Sequence, residues 1–443
     1  MTMNPIEFGS NTSKKKLFLV TGSFLAGFIV YLLRASPRQC CIANEYVEML
    51  NMHYEFGWRA MFMTYKGYIR AADQLMFLMI TKFPTARIPE LKFLVEMTMS
   101  GIVCGFLAYA TYLKTKRMLL SALVVVVMLF TPFFHGATFF DQATPNLFMI
   151  IGLIFAAVIG FVPMSRIGKF SFLLVLALYA FSHYSALVII VLLIINQYIH
   201  KKYDARFLVS CTVIVVLGTA VQLYVNSLSD RTPYGTFSVA NAAYTSRWLF
   251  MSPFPFQFRN IYMTGPSMIQ NLIFLSLFVA FGVLILLVVK DDLKKFESRR
   301  QTGLFPSLFL FAGTLLFAIF YLPTGTRFVQ SLVVPQMFVG LGFLFAAYVY
   351  KWKPAKFSMI GLSALFILMG AFNFRPNSED AYFYRYQIVY QSSTRQLWEN
   401  GVQSAKQACR SERNDKQVTF VGTIFRDLPD VVTLVRLSCS QLK

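Results

Sequence analysis

The sequence predicts an all-α polytopic membrane protein, and both its composition and its apolar segments lead to that prediction. Of its 443 residues, 56% are hydrophobic and only 14% are charged. A soluble domain usually has about 25% charged residues, so this chain has too few to cover a water-facing surface. Since a spanning helix needs roughly 20 mainly apolar residues, the long apolar runs predict helices that cross a bilayer.

Apolar runs occur along most of the chain, and one of them is ambiguous. As a single helix, the stretch 170–198 would be about 43 Å long, which is too long for one crossing and short for two. Ser182-His183-Tyr184-Ser185 interrupts the stretch, and we expect a tight turn there. The other runs that are long enough to cross lie at 17–34, 92–113, 118–134, 146–162, 205–225, 268–289, 304–321, 329–349 and 357–374.

Basic residues are concentrated in short polar segments between these runs, and this pattern predicts the topology. Lysine and arginine gather on cytoplasmic loops, so these segments should share one side, which requires the stretch 170–198 to cross twice. The chain then makes about eleven crossings, with a cytoplasmic N-terminus and an external C-terminus. The same pattern accounts for the formal net charge of +21 without a nucleic-acid partner. The basic segments are 1–16, 114–117, 163–169, 199–206, 290–300 and 350–356.

This topology leaves most of the connecting chain on the external side, where we expect the function to lie. The protein divides into a transmembrane domain, residues 1–374, and a small external tail, residues 375–443. Within the first external loop, mixed apolar and polar residues between Arg59 and Thr81 predict a helix at the membrane surface. A helix packed on the bundle is the alternative. The external pieces are 35–91, 132–145, 226–266 and the tail.

The tail predicts a small α/β unit. Polar residues from Asn377 suggest the start of a helix, which should extend to about Cys409. The segment 417–422 predicts a strand, and 428–438 predicts a helix or a strand. An external compartment would allow Cys409 and Cys439 to form a disulfide. A tyrosine stripe on the helix either stacks on sugar rings or, more commonly, forms the packing face; it consists of Tyr382, Tyr386 and Tyr390.

The sequence contains none of the motifs that are typical of soluble enzymes. It has no P-loop, no GxSxG, no HExxH and no GxGxxG that opens a helix after a strand. A nucleotide-sugar or ATP site is therefore unsupported, and we expect a donor that arrives through the lipid phase or from outside. The spacing of its cysteines and its four histidines also predicts no metal site and no cofactor.

Few acidic residues lie on the external side, so each can be weighed as a catalytic group. Glu45 and Glu48 lie about ten residues beyond the first span, where a carboxylate near the membrane could deprotonate a sugar hydroxyl. Asp141 is flanked by apolar residues at a membrane-entry position, where a carboxylate needs a partner or a function. The alternatives are solvated loop acids for the two glutamates and an N-cap for Asp141.

External basic residues are candidates for binding an anionic lipid headgroup. Arginine holds phosphate in bidentate fashion and stays charged, which makes Arg59, Arg247 and Arg327 the candidate donor phosphate-binding residues. Snorkelling to lipid headgroups is the alternative, and we prefer it for Lys66, Arg70 and Arg259. For His183, in the predicted turn, we expect a hydrogen-bonded structural role rather than acid-base catalysis.

The layout of one span, a long external loop with early acids, and then many spans resembles the GT-C class of membrane glycosyltransferases. Within that class, three segments resemble phage-type serotype-converting O-antigen glucosyltransferases, and the polar tail is similar as well. The segments are Asn44-Glu45-Tyr46-Val47-Glu48, Phe56-Gly57-Trp58-Arg59 and Phe140-Asp141-Gln142-Ala143. Paired aspartates are common in the first loop of that family, whereas this chain has single glutamates three residues apart.

The resemblance implies a transferase of the bacterial inner membrane that adds glucose to the O-antigen of lipopolysaccharide on the periplasmic side. A partner synthase would make the polyprenyl-phosphate glucose donor, and a small flippase would turn it outward. The catalytic base implied by the family is Glu45, with Glu48 as its rival. An O-antigen polymerase or ligase, acting through the loop 226–266, is the second interpretation, and Phe181 to Leu187 also resembles a polymerase segment. A lipid-linked saccharide flippase or channel is the third.

Overall fold

The computed structural model describes most of the chain as helices, with two strands near its C-terminus. It describes residues 10–34, 44–64, 69–131, 144–160, 166–201, 204–228, 267–302, 304–321, 333–350, 353–372, 393–410, 417–424 and 432–442.

In chain order the elements are α1 (Ser10–Arg34), α2 (Asn44–Phe56), a 3-10 helix (Gly57–Phe62), α3 (Ala71–Ile80), a 3-10 turn (Thr85–Arg87), α4 (Ile88–Thr115), α5 (Met118–Leu129), α6 (Thr144–Ile159), α7 (Arg166–Ala180), a 3-10 turn (Tyr184–Ala186), α8 (Leu187–His200), α9 (Ala205–Ser227), α10 (Ser267–Lys294), α11 (Phe296–Thr302), α12 (Pro306–Tyr321), α13 (Val333–Val349), α14 (Lys353–Phe372), α15 (Ser393–Arg410), β1 (Gln417–Ile424), β2 (Val432–Ser438) and a final 3-10 turn (Cys439–Gln441).

Five of these helices, α1, α4, α9, α10 and α14, are long and apolar enough to cross a membrane. Shorter apolar helices, which include α5, α6, α8, α12 and α13, pack among them. The most hydrophobic span, α10, is almost entirely unburied. An apolar helix surface of that extent is suited to lipid rather than to water, so the chain is a helical membrane protein.

The ambiguous stretch 170–198 consists of two helices, which confirms the predicted turn. The first, α7, ends at Ala180, and the second, α8, begins at Leu187. His183 caps the 3-10 turn between them, because its ring nitrogen Nδ1 accepts a hydrogen bond from the backbone N–H of Ser185 at 3.2 Å.

Helices α1 and α4 approach each other closely because small residues line their contact. The hydroxyl of Ser100 donates a hydrogen bond to the carbonyl of Gly27 at 3.0 Å. A Cβ on Gly27 would lie 2.7 Å from Sγ of Cys104, and one on Gly101 would lie 2.8 Å from the ring of Phe24. Contacts between small residues are a common way for helices to associate in lipid, where packing replaces the hydrophobic effect.

A second core lies outside the bundle, where the segment between α1 and α4 packs with the tail; we call this unit the loop–tail module. Antiparallel strands β1 and β2 pair Gln417 with Ser438 at one end and Ile424 with Val432 at the other. A disulfide joins Cys409 to Cys439, which confirms the predicted pair. The buried side chains of this core are Val47, Met49, Leu50, Tyr54, Met76, Phe77, Ile80, Ile88, Trp398, Val402, Ala405, Val418, Phe420, Val435 and Leu437.

One prediction about these segments requires correction. The expected helix from Arg59 to Thr81 is two elements, the 3-10 helix Gly57–Phe62 and α3. Because α3 buries one face against the bundle and another against the module core, it is packed on protein, as in the alternative interpretation. The segment 428–438, left open between helix and strand, contains β2. The helix predicted from Asn377 is described only from Ser393, and the tyrosine stripe lies outside the described residues.

Candidate functional site

Two buried ion pairs lie where α3 rests on the bundle, and we call them the α3–α4 charge cluster. The Nε of Arg70, which directly precedes α3, lies 2.7 Å from Oδ2 of Asp73. One helix away, Nζ of Lys92 lies 2.8 Å from Oε1 of Glu96. The side chains of Asp73, Lys92 and Glu96 are almost completely buried, and that of Arg70 is only 12% exposed. Burying charge is costly unless the charges are paired, so the fold must keep both ion pairs intact.

Two further helices contribute polar partners to these carboxylates. The hydroxyl of Tyr31, near the end of α1, donates a hydrogen bond to Oε2 of Glu96 at 2.7 Å. The amide Nδ2 of Asn146, in the first turn of α6, donates to Oδ2 of Asp73 at 3.2 Å. The cluster therefore connects α1, α3, α4 and α6 through side chains that are far apart in the sequence.

The chain that leads into α3 is fixed by side chains of the α7–α8 turn and of α9. The amide of Gln222 accepts a hydrogen bond from the backbone N–H of Ile69 at 3.2 Å and donates to the carbonyl of the same residue at 2.7 Å. The backbone N–H of Ala72 donates to Oγ of Ser182 at 3.1 Å. These bonds satisfy backbone groups that the start of a helix leaves unpaired, and they hold Arg70 beside the turn.

The local sequence explains why these charges point inward. Six of the ten residues of α3 are buried, on faces that meet both the bundle and the module core, so protein covers most of the helix and encloses the Asp73 carboxylate. Along α4, Lys92 and Glu96 are four residues apart and therefore neighbours on one helix face.

The electrostatics of the cluster favour proton exchange at Asp73. Burial raises the pKa of its carboxyl group above the ordinary value, and the neighbouring Arg70 guanidinium opposes part of that rise. Among the residues that the structure describes, Oδ1 of Asp73 has no hydrogen-bond partner. A buried carboxylate whose pKa moves towards neutral is a candidate acid or base. Nearby, burial and the positive charge of Arg70 lower the pKa of His183, which favours its neutral ring.

The structure describes only part of the site that the sequence predicts. Glu45 lies on α2, but its side chain is not among those described. Glu48 and Arg59 are both exposed, on α2 and on the 3-10 helix Gly57–Phe62. Their roles stay predictions, as do those of the candidates that lie outside the described residues, namely Asp141, Arg247 and Arg327.

The cluster contains residues to which sequence reasoning gave no role. Snorkelling of Arg70 is wrong, because its guanidinium is paired with Asp73 inside the protein. The structural role of His183 is confirmed by the bond between its Nδ1 and the Ser185 hydroxyl at 2.9 Å.

The spacing of Lys92 and Glu96 in an otherwise apolar segment was a usable signal, because a buried i, i+4 pair is rare without a purpose. Lys66 and Arg259 lie outside the described residues.

Within the described part of the chain, no group of three or more His, Cys, Asp or Glu side chains is arranged to hold a metal ion. Comparison of the chain with protein families, curated proteins and solved structures finds no match. The geometry of the cluster and the sequence pattern are therefore the basis for a functional proposal.

Proposed function

We propose that this chain is a glycosyltransferase of GT-C type in a bacterial inner membrane. It transfers a hexose from a polyprenyl-phosphate sugar to a saccharide acceptor, with O-antigen as the expected acceptor, on the periplasmic side. The observation that carries the proposal is the α3–α4 charge cluster, where a buried carboxylate and a guanidinium lie together within the first external loop. Transfer from a lipid phosphate needs both groups, a base for the acceptor and a cation for the leaving phosphate.

The proposal includes about eleven crossings, which the packing of the module supports. The first loop and the tail share one core, so both lie on the same side of the membrane. We assign one crossing to each described bundle helix between them, and these ten crossings would return the chain to its starting side: α4, α5, α6, α7, α8, α9, α10, α12, α13 and α14. With α1 added, the N-terminus falls on the opposite side, as the basic segments require.

The chemistry follows from the charges of the reacting groups. A carboxylate takes the proton from an acceptor hydroxyl, the hydroxyl oxygen bonds to the anomeric carbon, and the bond from that carbon to the phosphate oxygen breaks. The leaving polyprenyl phosphate keeps the electron pair, and arginine side chains stabilise its charge. We assign the base to Asp73, Glu45 or Glu48, and the phosphate contacts to Arg70 with Arg59, Arg247 and Arg327.

The test measures hexose addition to lipopolysaccharide in a strain of defined O-antigen that also makes the polyprenyl-phosphate donor. We expect the spacing of the lipopolysaccharide ladder on a gel to shift, and we expect mass spectrometry to show hexose added to each repeat. Loss of the catalytic base should lower transfer by roughly 100-fold or more. The variants Asp73→Asn, Glu45→Gln and Glu48→Gln identify the base, provided that each is present in the membrane at the wild-type level. Full transfer in all of them would reject the assignment.

A second candidate, an O-antigen polymerase or ligase, is supported by one observation. The turn that contains Ser182 and His183, in a segment similar to one in polymerases, contacts the chain at Ala72 and lies close to Arg70. The same ladder distinguishes the two functions. Restored polymer length in a polymerase-deficient strain, without added hexose, would replace the transferase proposal.

A further inference from the structure

Two buried oxygen atoms, at the place where α3 meets α6, have no hydrogen-bond partner among the residues that the structure describes. They are Oδ1 of Asp73 and Oδ1 of Asn146. Since Nδ2 of Asn146 lies 3.2 Å from Oδ2 of Asp73, both unpaired atoms belong to one small polar site. Burying a polar atom without a partner costs free energy, so a site that keeps two of them calls for an explanation.

The two carboxylate oxygens of Asp73 differ in their contacts. Oδ2 lies 2.7 Å from Nε of Arg70 and also accepts the hydrogen bond from Asn146, so both of its lone pairs are engaged. Oδ1 has no partner in the described part of the chain. A hydroxyl that approaches this carboxylate therefore finds Oδ1 as the oxygen that can still accept its proton.

The side-chain amide of Asn146 carries both donors and an acceptor, and its neighbour determines its orientation. An ionised carboxylate accepts hydrogen bonds and has none to donate, so the amide turns Nδ2 towards Asp73. This orientation leaves Oδ1 of the same amide as a second acceptor beside the carboxylate. Two adjacent acceptors suit a ligand with two adjacent donors, and neighbouring hydroxyls on a sugar ring have that arrangement.

We propose that Asn146 is a specificity-determining residue that selects an acceptor sugar with two adjacent free hydroxyls; this inference rests on the proposed function, with Asp73 as the base. One hydroxyl donates to Oδ1 of Asp73, and the hydroxyl on the neighbouring ring carbon donates to Oδ1 of Asn146. The first hydroxyl gives its proton to Asp73, and its oxygen bonds to the anomeric carbon of the donor. The bond from that carbon to the phosphate oxygen breaks, and the phosphate keeps the electron pair.

The site is closed in this structure, because the side chain of Asp73 has no exposed surface. An acceptor sugar therefore enters after α3 moves away from the start of α6, and its hydroxyls then pair the two oxygens that the closed state leaves unpaired. Closure around the bound sugar excludes water, which protects the donor from hydrolysis.

The test measures kcat/KM for hexose transfer by the full chain in nanodiscs, with polyprenyl-phosphate glucose as the donor. The acceptor is an oligosaccharide of the O-antigen repeat, and NMR of the product identifies its accepting hydroxyl. Two deoxy analogues each lack one of the hydroxyls next to that position. Asn196→Ala is the matched control for Asn146→Ala, because Asn196 is a buried asparagine of α8 whose Nδ2 donates to the carbonyl of Val158 at 3.0 Å.

For the wild type, we expect one deoxy analogue to lower kcat/KM on the order of tenfold or more, because a site that binds a hydroxyl rejects the analogue that lacks it. Asn146→Ala should lower kcat/KM for the full acceptor and show no further loss with that analogue. Asn196→Ala should discriminate between the acceptors as the wild type does.

Two further variants separate contact with the acceptor from a purely structural role. Asn146→Leu keeps the branched shape of the side chain without its polar atoms, so it should lose discrimination as Asn146→Ala does even if the smaller side chain weakens folding. Asn146→Asp keeps oxygen acceptors but has no donor for Asp73. It should retain discrimination against the deoxy analogue at a lower rate of transfer.

The outcome that overturns the inference differs from the one that overturns the proposed function. If the losses from Asn146→Leu and from each missing hydroxyl multiply, Asn146 does not contact the acceptor, and the two oxygens of the site have only a structural role. Transfer by the wild type would still support the proposed function in that case. If the wild type transfers no hexose to any acceptor, the proposed function fails, and the inference fails with it.

Discussion

The bundle and the loop–tail module solve the same problem, keeping polar groups satisfied, in different ways. In the bundle, charges at α4 are paired inside the protein and the outer helix surfaces are apolar. In the module, a disulfide joins Cys409 to Cys439, and side chain-to-backbone hydrogen bonds connect segments that are about 380 residues apart. Lipid offers no hydrogen bonds, so every polar group there needs an internal partner. On the outer surface of the module, water can serve as the partner of polar groups.

Helix α3 belongs to both regions and shows how they are coupled. Its Asp73 faces the bundle and bonds to Asn146 of α6. The next residue, Gln74, faces the module, where its Oε1 lies 2.7 Å from Nε2 of His53 on α2. The two regions therefore share α3, a helix of ten residues. The predictions below separate the two regions by changing one partner at a time.

The largest effect should come from breaking the buried pair in the bundle with Lys92→Met. The variant leaves the Glu96 carboxylate buried without its ammonium partner, and removing one member of a buried pair costs about 3–5 kcal/mol. We expect a large fall in the unfolding temperature in nanodiscs. Lys290→Met, which removes an exposed lysine of α10, is the matched control.

A double variant decides whether stability depends on the ion pair itself or on avoiding an unpaired buried charge. Lys92→Met combined with Glu96→Met removes both charges, and we expect it to be more stable than Lys92→Met alone. If Lys92→Met unfolds at the same temperature as Lys290→Met, the pair does not stabilise the bundle and the cluster loses its structural role.

The next effect should be confined to the module and follows from Cys409→Ser. The disulfide closes a loop between residues that are 30 positions apart, and the chain-entropy model assigns such a loop about 3–4 kcal/mol. We expect hydrogen exchange in α15, β1 and β2 to accelerate while that of α5 stays unchanged. Cys211→Ala, which removes a free thiol from α9, is the control. Equal acceleration in α5 would mean that the two regions unfold together.

The secondary-structure elements were more predictable from the sequence than the contacts between them. Apolar run length indicated the helices, Ser182 to Ser185 indicated the turn, and the segment 417–422 indicated β1. Periodicity states which residues share a face and does not state which helix that face meets. The bonds from Tyr31 to Glu96 and from Asn146 to Asp73 span 65 and 73 residues, so no local pattern contains them.

The candidate site was less predictable for the same reason. Arg70 was expected to snorkel because an isolated arginine near lipid does so, yet Asp73 is three residues away and pairs with it. The sequence contained that spacing, but whether the pair was buried depended on α6 and on the turn after α7. Glu45, Glu48 and Arg59 remain predictions, because the test of their roles is transfer activity.

A smaller effect should come from Asn51→Ala, which separates α2 from β2. The Asn51 amide donates from Nδ2 to the carbonyl of Leu434 and accepts at Oδ1 from the backbone N–H of Arg436, both at 2.8 Å. Each hydrogen bond contributes about 0.5–1.5 kcal/mol, so we expect a loss of about 1–3 kcal/mol in the local protection of β2. Hydrogen exchange at Arg436 measures it.

The variant Asn51→Asp tests that account at a single atom. It keeps an acceptor for the Arg436 N–H and removes the donor to Leu434. We expect protection at Arg436 to be kept and the rest of the contact to weaken. Loss of protection at Arg436 in Asn51→Asp, as large as in Asn51→Ala, would contradict the proposed pairing.

The smallest effect should be a pH dependence of the module that arises from His53. Burial lowers the pKa of its imidazole, while the hydrogen bond to Gln74 opposes that change, so the two causes partly cancel. Because the folded state disfavours the charged ring, the stabilisation is complete above the unfolded pKa of about 6.5. It is lost as the pH falls from there through the lower pKa of the folded state.

We therefore expect proteolysis at the α2–α3 contact to speed up as the pH falls below about 6.5, and His53→Gln to remove part of that change. Gln keeps a side chain able to hydrogen-bond to Gln74 but does not titrate in this range. If the acceleration extended equally to α5, protonation of His53 would act on the bundle through α3, and the two regions would be one cooperative unit. An effect confined to the module would show that α3 joins two regions that unfold separately.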